Sequence, residues 1–166
     1  MNIFKHWKSK IFLKENLISL LIVIFVFILD RASKISIIEQ QLIVNGSLFV
    51  NDYLNLELVW NTGISFGMLS QNANIYYHMI SLLIFFVIIF VIYLVFKSDL
   101  VEKFLFSMVL GGALGNFYDR LTYYAVPDFI DFHINNFHWF TFNIADIFIT
   151  IGIISIIAKE TILNKK

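Results

Sequence analysis

Eighteen consecutive residues, Met79 to Phe96, carry no charge and are almost wholly apolar. A bilayer's hydrocarbon core is about 30 Å thick and needs about 20 apolar residues of helix to cross it, so this run predicts a membrane span from Ile75 to Phe96. The composition agrees, with 59% hydrophobic and 14% charged residues against about 25% charged in an average soluble domain. Three further apolar stretches recur. Leu17 to Leu29 extends through Asp30 and Lys34 to Ile38. Phe104 to Phe117 holds Gly111, Gly112 and Gly115, and Ile144 to Ala158 has Asp146 near its start. An open sheet would leave unpaired edges in lipid. The expected fold is therefore an all-α membrane protein of four transmembrane helices, with a small extracytoplasmic β element after the first.

Nine of the twelve basic residues fall on one side of this arrangement: Lys5, Lys8, Lys10 and Lys14 before the first span, Lys97 and Lys103 between the second and third, and Lys159, Lys165 and Lys166 after the fourth. Positive residues stay cytoplasmic, so both termini are expected inside. The single domain 1–166 then divides into a basic amino terminus 1–16, spans at about 17–38, 75–96, 104–120 and 143–160, and outer loops at about 39–74 and 121–142. No small-x-small cleavage site follows the first span, which is read as retained. In the first outer loop, Leu54, Leu56, Leu58 and Trp60 alternate as a strand does. Tyr53, Trp60 and Phe66 suit the membrane interface. A net charge of zero offers no surface for nucleic acid, and the absence of cysteine excludes a thiol nucleophile and thiolate metal sites.

Polar residues inside spans are costly, about 2.5–3.5 kcal/mol for an acid at a helix centre, and here they gather at the outer ends. Asp30 and Lys34 stand i, i+4 on the first span. Asn116, Asp119 and Arg120 stand at i, i+3 and i+4 on the third, and Asn143 and Asp146, continued by Thr150, open the fourth. Pairing Asp30 with Lys34 and Asp119 with Arg120 offsets burial as structural ion pairs. Asp128, in the second outer loop, and Asp146 then have no evident cation. Two carboxyls at a low-dielectric boundary split their pKa values, so one can activate water and the other protonate a leaving amide nitrogen. The plainer alternative is that Asp128 caps a loop while Asp146 bonds within the bundle.

Longer motifs carry a resemblance. Gly111-Gly112-Ala113-Leu114-Gly115-Asn116-Phe117-Tyr118-Asp119-Arg120 resembles the GGALGNxxDR signature of lipoprotein signal peptidase, or signal peptidase II. Val126-Pro127-Asp128-Phe129-Ile130 and Phe142-Asn143-Ile144-Ala145-Asp146 are similar to that family's VVDFI and FNxAD segments. Leu29-Asp30-Arg31-Ala32-Ser33-Lys34 resembles LDQxTK, and Asn61 to Gly67 resembles NxGxAFG. The resemblance implies an aspartic endopeptidase of the bacterial plasma (inner) membrane. It would cut diacylglyceryl-modified prolipoproteins just before the lipidated cysteine, near the outer leaflet. It puts the catalytic dyad on Asp128 and Asp146, with Asn61, Gly63, Asn116, Asp119, Arg120, Asn143, Asp30 and Lys34 around the substrate or supporting the site. No cofactor and no metal are implied, and the chain is expected to act as a monomer. Pro127, Ile147, Arg31 and Ser33 depart from the family pattern without removing a carboxyl or an asparagine.

Rivals remain at this point. Asp131, His133 and His138 lie near Asp128 and invoke a metal hydrolase. The five-residue His spacing fits no helical zinc motif, and Asn135, Asn136 and Trp139 read as an ordinary outer loop. His78 reads as an interface residue. Intramembrane acids also mark ion transporters, but no matching set lies at the midplane. A non-catalytic assembly protein is the third alternative.

Overall fold

The computed structural model describes residues 14–43, 46–63, 73–135 and 137–163. In chain order these form α1 (Lys14–Ile43), β1 (Leu48–Asn51), β2 (Leu54–Asn61), α2 (Ala73–Lys97), α3 (Leu100–Tyr123), β3 (Val126–Ile134), β4 (Phe137–Phe142) and α4 (Ile144–Ala158), the last running into a π-helical turn, Lys159–Leu163. The protein is mostly helical with one small antiparallel sheet. Lys5, Lys8, Lys10, Lys165 and Lys166, together with Phe66 and the rest of the Ile64–Gly67 motif segment, lie outside the described residues.

Local chemistry sets the helix ends more firmly than hydropathy does. α3 starts at Leu100 rather than Phe104 because the Asp99 carboxylate accepts the N–H groups of Val101 and Glu102, satisfying donors that have no intrahelical partner. It stops at Tyr123, where Tyr124 turns left-handed at φ 55°. α4 starts behind Asn143 in a capping box with Asp146. α1 continues five residues beyond the expected Ile38.

α3 is the central helix and packs on α1, α2 and α4. Glycines of α3 let its neighbours approach closely. A Cβ on Gly111 would meet Val26 Cβ at 2.8 Å, and one on Gly112 would meet the Ala145 carbonyl oxygen at 2.6 Å and Ile149 Cγ1 at 2.9 Å. Because the obstacle at Gly112 includes backbone, Gly112→Val should push α4 off α3. Such overpacking costs about 1–3 kcal/mol, to be read as a lowered unfolding midpoint in micelles; an unchanged midpoint would refute this account of the crossing.

α2 (from Tyr77) and α3 are long and apolar enough to cross a membrane. The outward faces of the other two helices are also apolar, with Leu20, Leu21, Ile24, Phe25 and Ile28 exposed on α1 and Ile151, Ile154 and Ile157 on α4. One end of the bundle is clasped by charge, Lys159 pairing with Asp99 and Glu102, and Lys103 bonding to Asn16 and Glu15. The other end carries the sheet.

That sheet corrects the expectation of a loop over 121–142 and of a β element confined to the first outer segment. Its order is β1-β2-β3-β4, so strands from both of these segments join, with β2 pairing along β3 from Leu54↔Phe132 to Asn61↔Val126. The pairing fixes Asp128 on an interior strand directly above the helix ends. Trp60 and Tyr53 are exposed, Trp60 packing edge-on to Tyr123 at 5.5 Å.

Candidate active site

Four elements converge on the two unaccounted carboxylates. β3 presents Asp128, β2 ends at Asn61, α3 presents Asn116, and the start of α4 supplies Asn143 and Asp146. Asp128 is buried; its Oδ1 accepts from Asn143 Nδ2 at 2.6 Å and its Oδ2 from Asn61 Nδ2 at 2.8 Å. Asp146 Oδ1 accepts from Asn116 Nδ2 at 2.8 Å, and its Oδ2 from the Asn143 backbone N–H at 3.1 Å. The Asn143 side-chain oxygen in turn accepts the Asp146 N–H at 3.1 Å. Asn143 therefore holds both acids at once, by its amide nitrogen on one side and by the capping box on the other. Burial pushes the Asp128 carboxyl up to about 6, further raised by the charge of Asp146 and opposed by the amide hydrogen bonds of Asn61 and Asn143.

Next to the two carboxylates lies a buried charge network. Lys34 spends its three N–H donors on Asp30 Oδ2 (2.9 Å), Asn116 Oδ1 (2.8 Å) and Asp119 Oδ2 (2.7 Å). Asp30 Oδ1 accepts the Ala145 backbone N–H at 3.0 Å, tying α1 to the first turn of α4. At Gly115 a side chain would run into the Asp30 carboxylate. Asn116 thus relays the Lys34 ammonium to Asp146, which stands one amide removed from a cation.

The structure brings Asp30, Lys34, Asn61, Asn116, Asp119, Asp128, Asn143 and Asp146 into this connected set. The Asp30–Lys34 pair holds, but the expected Asp119–Arg120 pair does not form. Consecutive helical residues point about 100° apart, so Asp119 turns to Lys34 and to Arg31, whose Nη2 lies 2.6 Å from Asp119 Oδ1. Arg31, which the sequence offers only as a departure from a motif, is the residue that reasoning missed. A second cation within one turn of Lys34 was its signal. Arg120 instead lies over the Tyr77 ring at 5.8 Å, and the Tyr77 hydroxyl donates to the Arg120 carbonyl at 2.6 Å. Gly63, left-handed at φ 74°, donates its N–H to Asn61 Oδ1 at 2.8 Å. A Cβ there would come within 3.1 Å of the Arg120 guanidinium, so Gly63 both orients Asn61 and leaves room for Arg120.

A cleft of about 240 Å³ opens beside Asp146, lined by Phe140, Phe142, Ile147, Thr150 and Ile151. Ile147 and Thr150 therefore border it directly. Carboxylates held by amide donors next to an apolar cleft suit acid–base activation of water on a substrate that is itself apolar. Asp131, His133 and His138 are not on a loop, as expected, but on paired strands, and their ligand atoms lie within 4.8 Å of one another.

The family model described as signal peptidase (SPase) II matches residues 22–162. The lipoprotein signal peptidase of Pelagibacter ubique (strain HTCC1062) is 44% identical over 159 residues, covering 95% of this chain and 96% of that protein. The lipoprotein signal peptidase of Anaplasma phagocytophilum (strain HZ) is 37% identical over 151 residues, 89% of this chain and 94% of that one. A bacterial membrane enzyme solved by the in meso method at 2.3 Å resolution superposes with a TM-score of 0.69 at 35% identity, over 89% of this chain and 91% of its own.

Proposed function

Because the chain belongs to the signal peptidase II family, we propose that it is an aspartic endopeptidase that removes signal peptides from diacylglyceryl-modified prolipoproteins, with Asp128 and Asp146 as its catalytic pair. The observation that carries this reading is Asn143 linking two carboxylates that are each held by amide donors, one of which, Asp146, lines an apolar cleft. With one proton shared by the pair, the ionised carboxylate takes a proton from water as its oxygen bonds to the carbonyl carbon before the lipidated cysteine. The protonated partner hydrogen-bonds the carbonyl oxygen and holds it as charge develops. Collapse of the tetrahedral adduct breaks the C–N bond, and a carboxyl proton passes to the leaving nitrogen. Asn61, Asn116 and Asn143 hold the acids. Lys34, Asp30, Asp119 and Arg31 hold Asn116 and the start of α4, and Arg120 and Gly63 border the peptide.

In this reading the four helices cross the bacterial plasma (inner) membrane with both termini cytoplasmic and the chain acting as a monomer. Apolar outward faces and a lysine-bearing end opposite the dyad support that placement. A substrate whose acyl chains stay in the bilayer presents its scissile bond near the outer headgroups, at the depth expected for Asp128 and Asp146. The test is incubation of the purified chain with a prolipoprotein in diacylated and unmodified forms. Release of the signal peptide from the diacylated form alone is expected; equal cleavage of both, or of neither, would overturn the assignment.

The dyad also sets a pH profile. Asp128 holds its proton below about pH 6 and loses it above, and loss of the shared proton removes the donor that holds the carbonyl oxygen as charge develops. The kcat/KM profile, which reports the free enzyme, should be bell-shaped with its alkaline limb centred at or above pH 6. A limb centred near pH 4, where an ordinary carboxylate titrates, would contradict a raised and shared proton.

A further inference from the structure

The face of β3 turned away from Asp128 carries a second cluster that the peptidase reading does not use. In the β2–β3 ladder, Leu56 to Val59 oppose Ile130 to Asp128, and in the β3–β4 ladder Thr141 to His138 oppose Asp131 to His133. In both, the extra residue sits on the neighbouring strand, so β3 keeps its alternation. Asp131 and His133, at odd offsets from Asp128, therefore project from the opposite face. His138 is the direct cross-strand partner of His133, and their imidazoles stack with centroids 5.0 Å apart and 23° between planes.

Asp131 and His133 are buried, whereas the His138 side chain is 56% exposed. The Asp131 Oδ2 atom lies 2.7 Å from His138 Nδ1 and 3.6 Å from His133 Nδ1. The second distance is too long for a hydrogen bond, and the buried His133 Nδ1 has no hydrogen-bond partner among the described residues. Leaving such a nitrogen unsatisfied costs free energy, and this one faces a carboxylate oxygen with a second imidazole alongside.

We propose that Asp131, His133 and His138 bind a zinc ion, at a site separate from the dyad that performs no step on the scissile bond. Two imidazoles and a carboxylate are a donor set zinc favours over magnesium or calcium, which prefer all-oxygen shells. Ligands about 2.0–2.2 Å from a tetrahedral zinc stand about 3.3 Å from one another. The Asp131–His133 separation is already near that value. The Asp131–His138 contact must open by about half an ångström, and the His138 ring must turn out of its stack on His133 so that both ring nitrogens aim at one point, which its exposure allows. The ion would satisfy the orphaned His133 nitrogen and clamp β3 to β4, the two strands whose other ends position Asp128 and Asn143.

The full chain, carrying no histidine tag, is stripped with chelator in micelles and titrated with zinc chloride by calorimetry, and its thermal unfolding is followed with and without the metal. Binding of one zinc per chain is expected, with an unfolding midpoint that rises with zinc by mass action. His138→Ala, exposed enough to leave the fold intact, should weaken zinc affinity at least tenfold, and Asp131→Asn should do the same. His78→Ala should bind as the parent does. A cobalt-substituted sample should show the visible bands of a four-coordinate nitrogen–oxygen site. Absence of saturable zinc binding, or affinity unchanged in His138→Ala, would overturn the proposal and leave the cluster a hydrogen-bonded histidine pair.

Discussion

Replacing either Asp128 or Asp146 by asparagine is expected to lower prolipoprotein cleavage by at least about a thousandfold, since general acid–base transfer by one positioned group is worth about 10²–10⁴ and in the proposed mechanism the two acids act as a unit. For the same reason the double variant should be no slower than either single one. The stability effects should differ, because the hydrogen bonds around the acids are not equivalent. Asn143 Nδ2 is aimed at Asp128 because its own oxygen is occupied by the Asp146 N–H. An amide at 128 can therefore turn its oxygen toward Asn143, leaving its NH₂ facing that of Asn61. The conflict is relieved if Asn61 flips and gives up the Gly63 N–H. An amide at 146 must keep its oxygen on the Asn143 N–H and sets its NH₂ against that of Asn116. Asn116 cannot flip without turning its own NH₂ toward the Lys34 ammonium. Asp146→Asn should thus unfold at a lower temperature than Asp128→Asn, by the cost of an unrelieved buried donor, about 1–3 kcal/mol. Cleavage assays and thermal unfolding on the same preparations check both statements. A folded carboxamide variant that cleaves at the parent rate would remove that residue from the catalytic pair.

What could be read from residues alone follows the range of the physics involved. Helical periodicity is local, so the shared face of Asn116 and Asp119 and the Asp30–Lys34 pair were legible from spacing. The Asp119–Arg120 pairing was not a sound expectation, because neighbours in a helix diverge, and partner choice across helices depends on packing that spacing does not encode. The acids themselves stood out because burying charge is expensive, and the motif resemblance named the same two. The sheet was hidden for a different reason. Only the alternation of Leu54 to Trp60 was visible, whereas Val126 to Ile134 interleaves two aspartates and a histidine with apolar residues and reads as polar loop. Its strand character comes from pairing with β2, some seventy residues earlier in the chain. The approach of His133 to His138 is likewise a cross-strand fact, invisible to a search for helical ligand spacings.

The second large effect should come from Lys34, which touches neither cleft nor substrate. Lys34→Met keeps an unbranched chain up to the ε position but removes the ammonium that bonds Asp30, Asn116 and Asp119 in a fully buried setting. Breaking a buried ion pair from one side costs about 3–5 kcal/mol, because the remaining charge stays without compensation. Arg31 shares part of that load through Asp119, at 2.6 Å, but is 3.5 Å from Asp30. The uncompensated acid is therefore chiefly Asp30, whose other oxygen holds the Ala145 N–H at the start of α4. Lys34→Met should unfold well below the parent in micelles and, by freeing Asn116, lose most of its cleavage activity as well. Adding Asp30→Asn removes the stranded charge and should recover a measurable part of the stability but not the activity, since Asn116 remains unanchored. The double-mutant cycle between positions 30 and 34 then gives a coupling of about 1–3 kcal/mol. A single Lys34→Met variant melting with the parent, or a cycle that is simply additive, would show that this buried network does not brace the dyad.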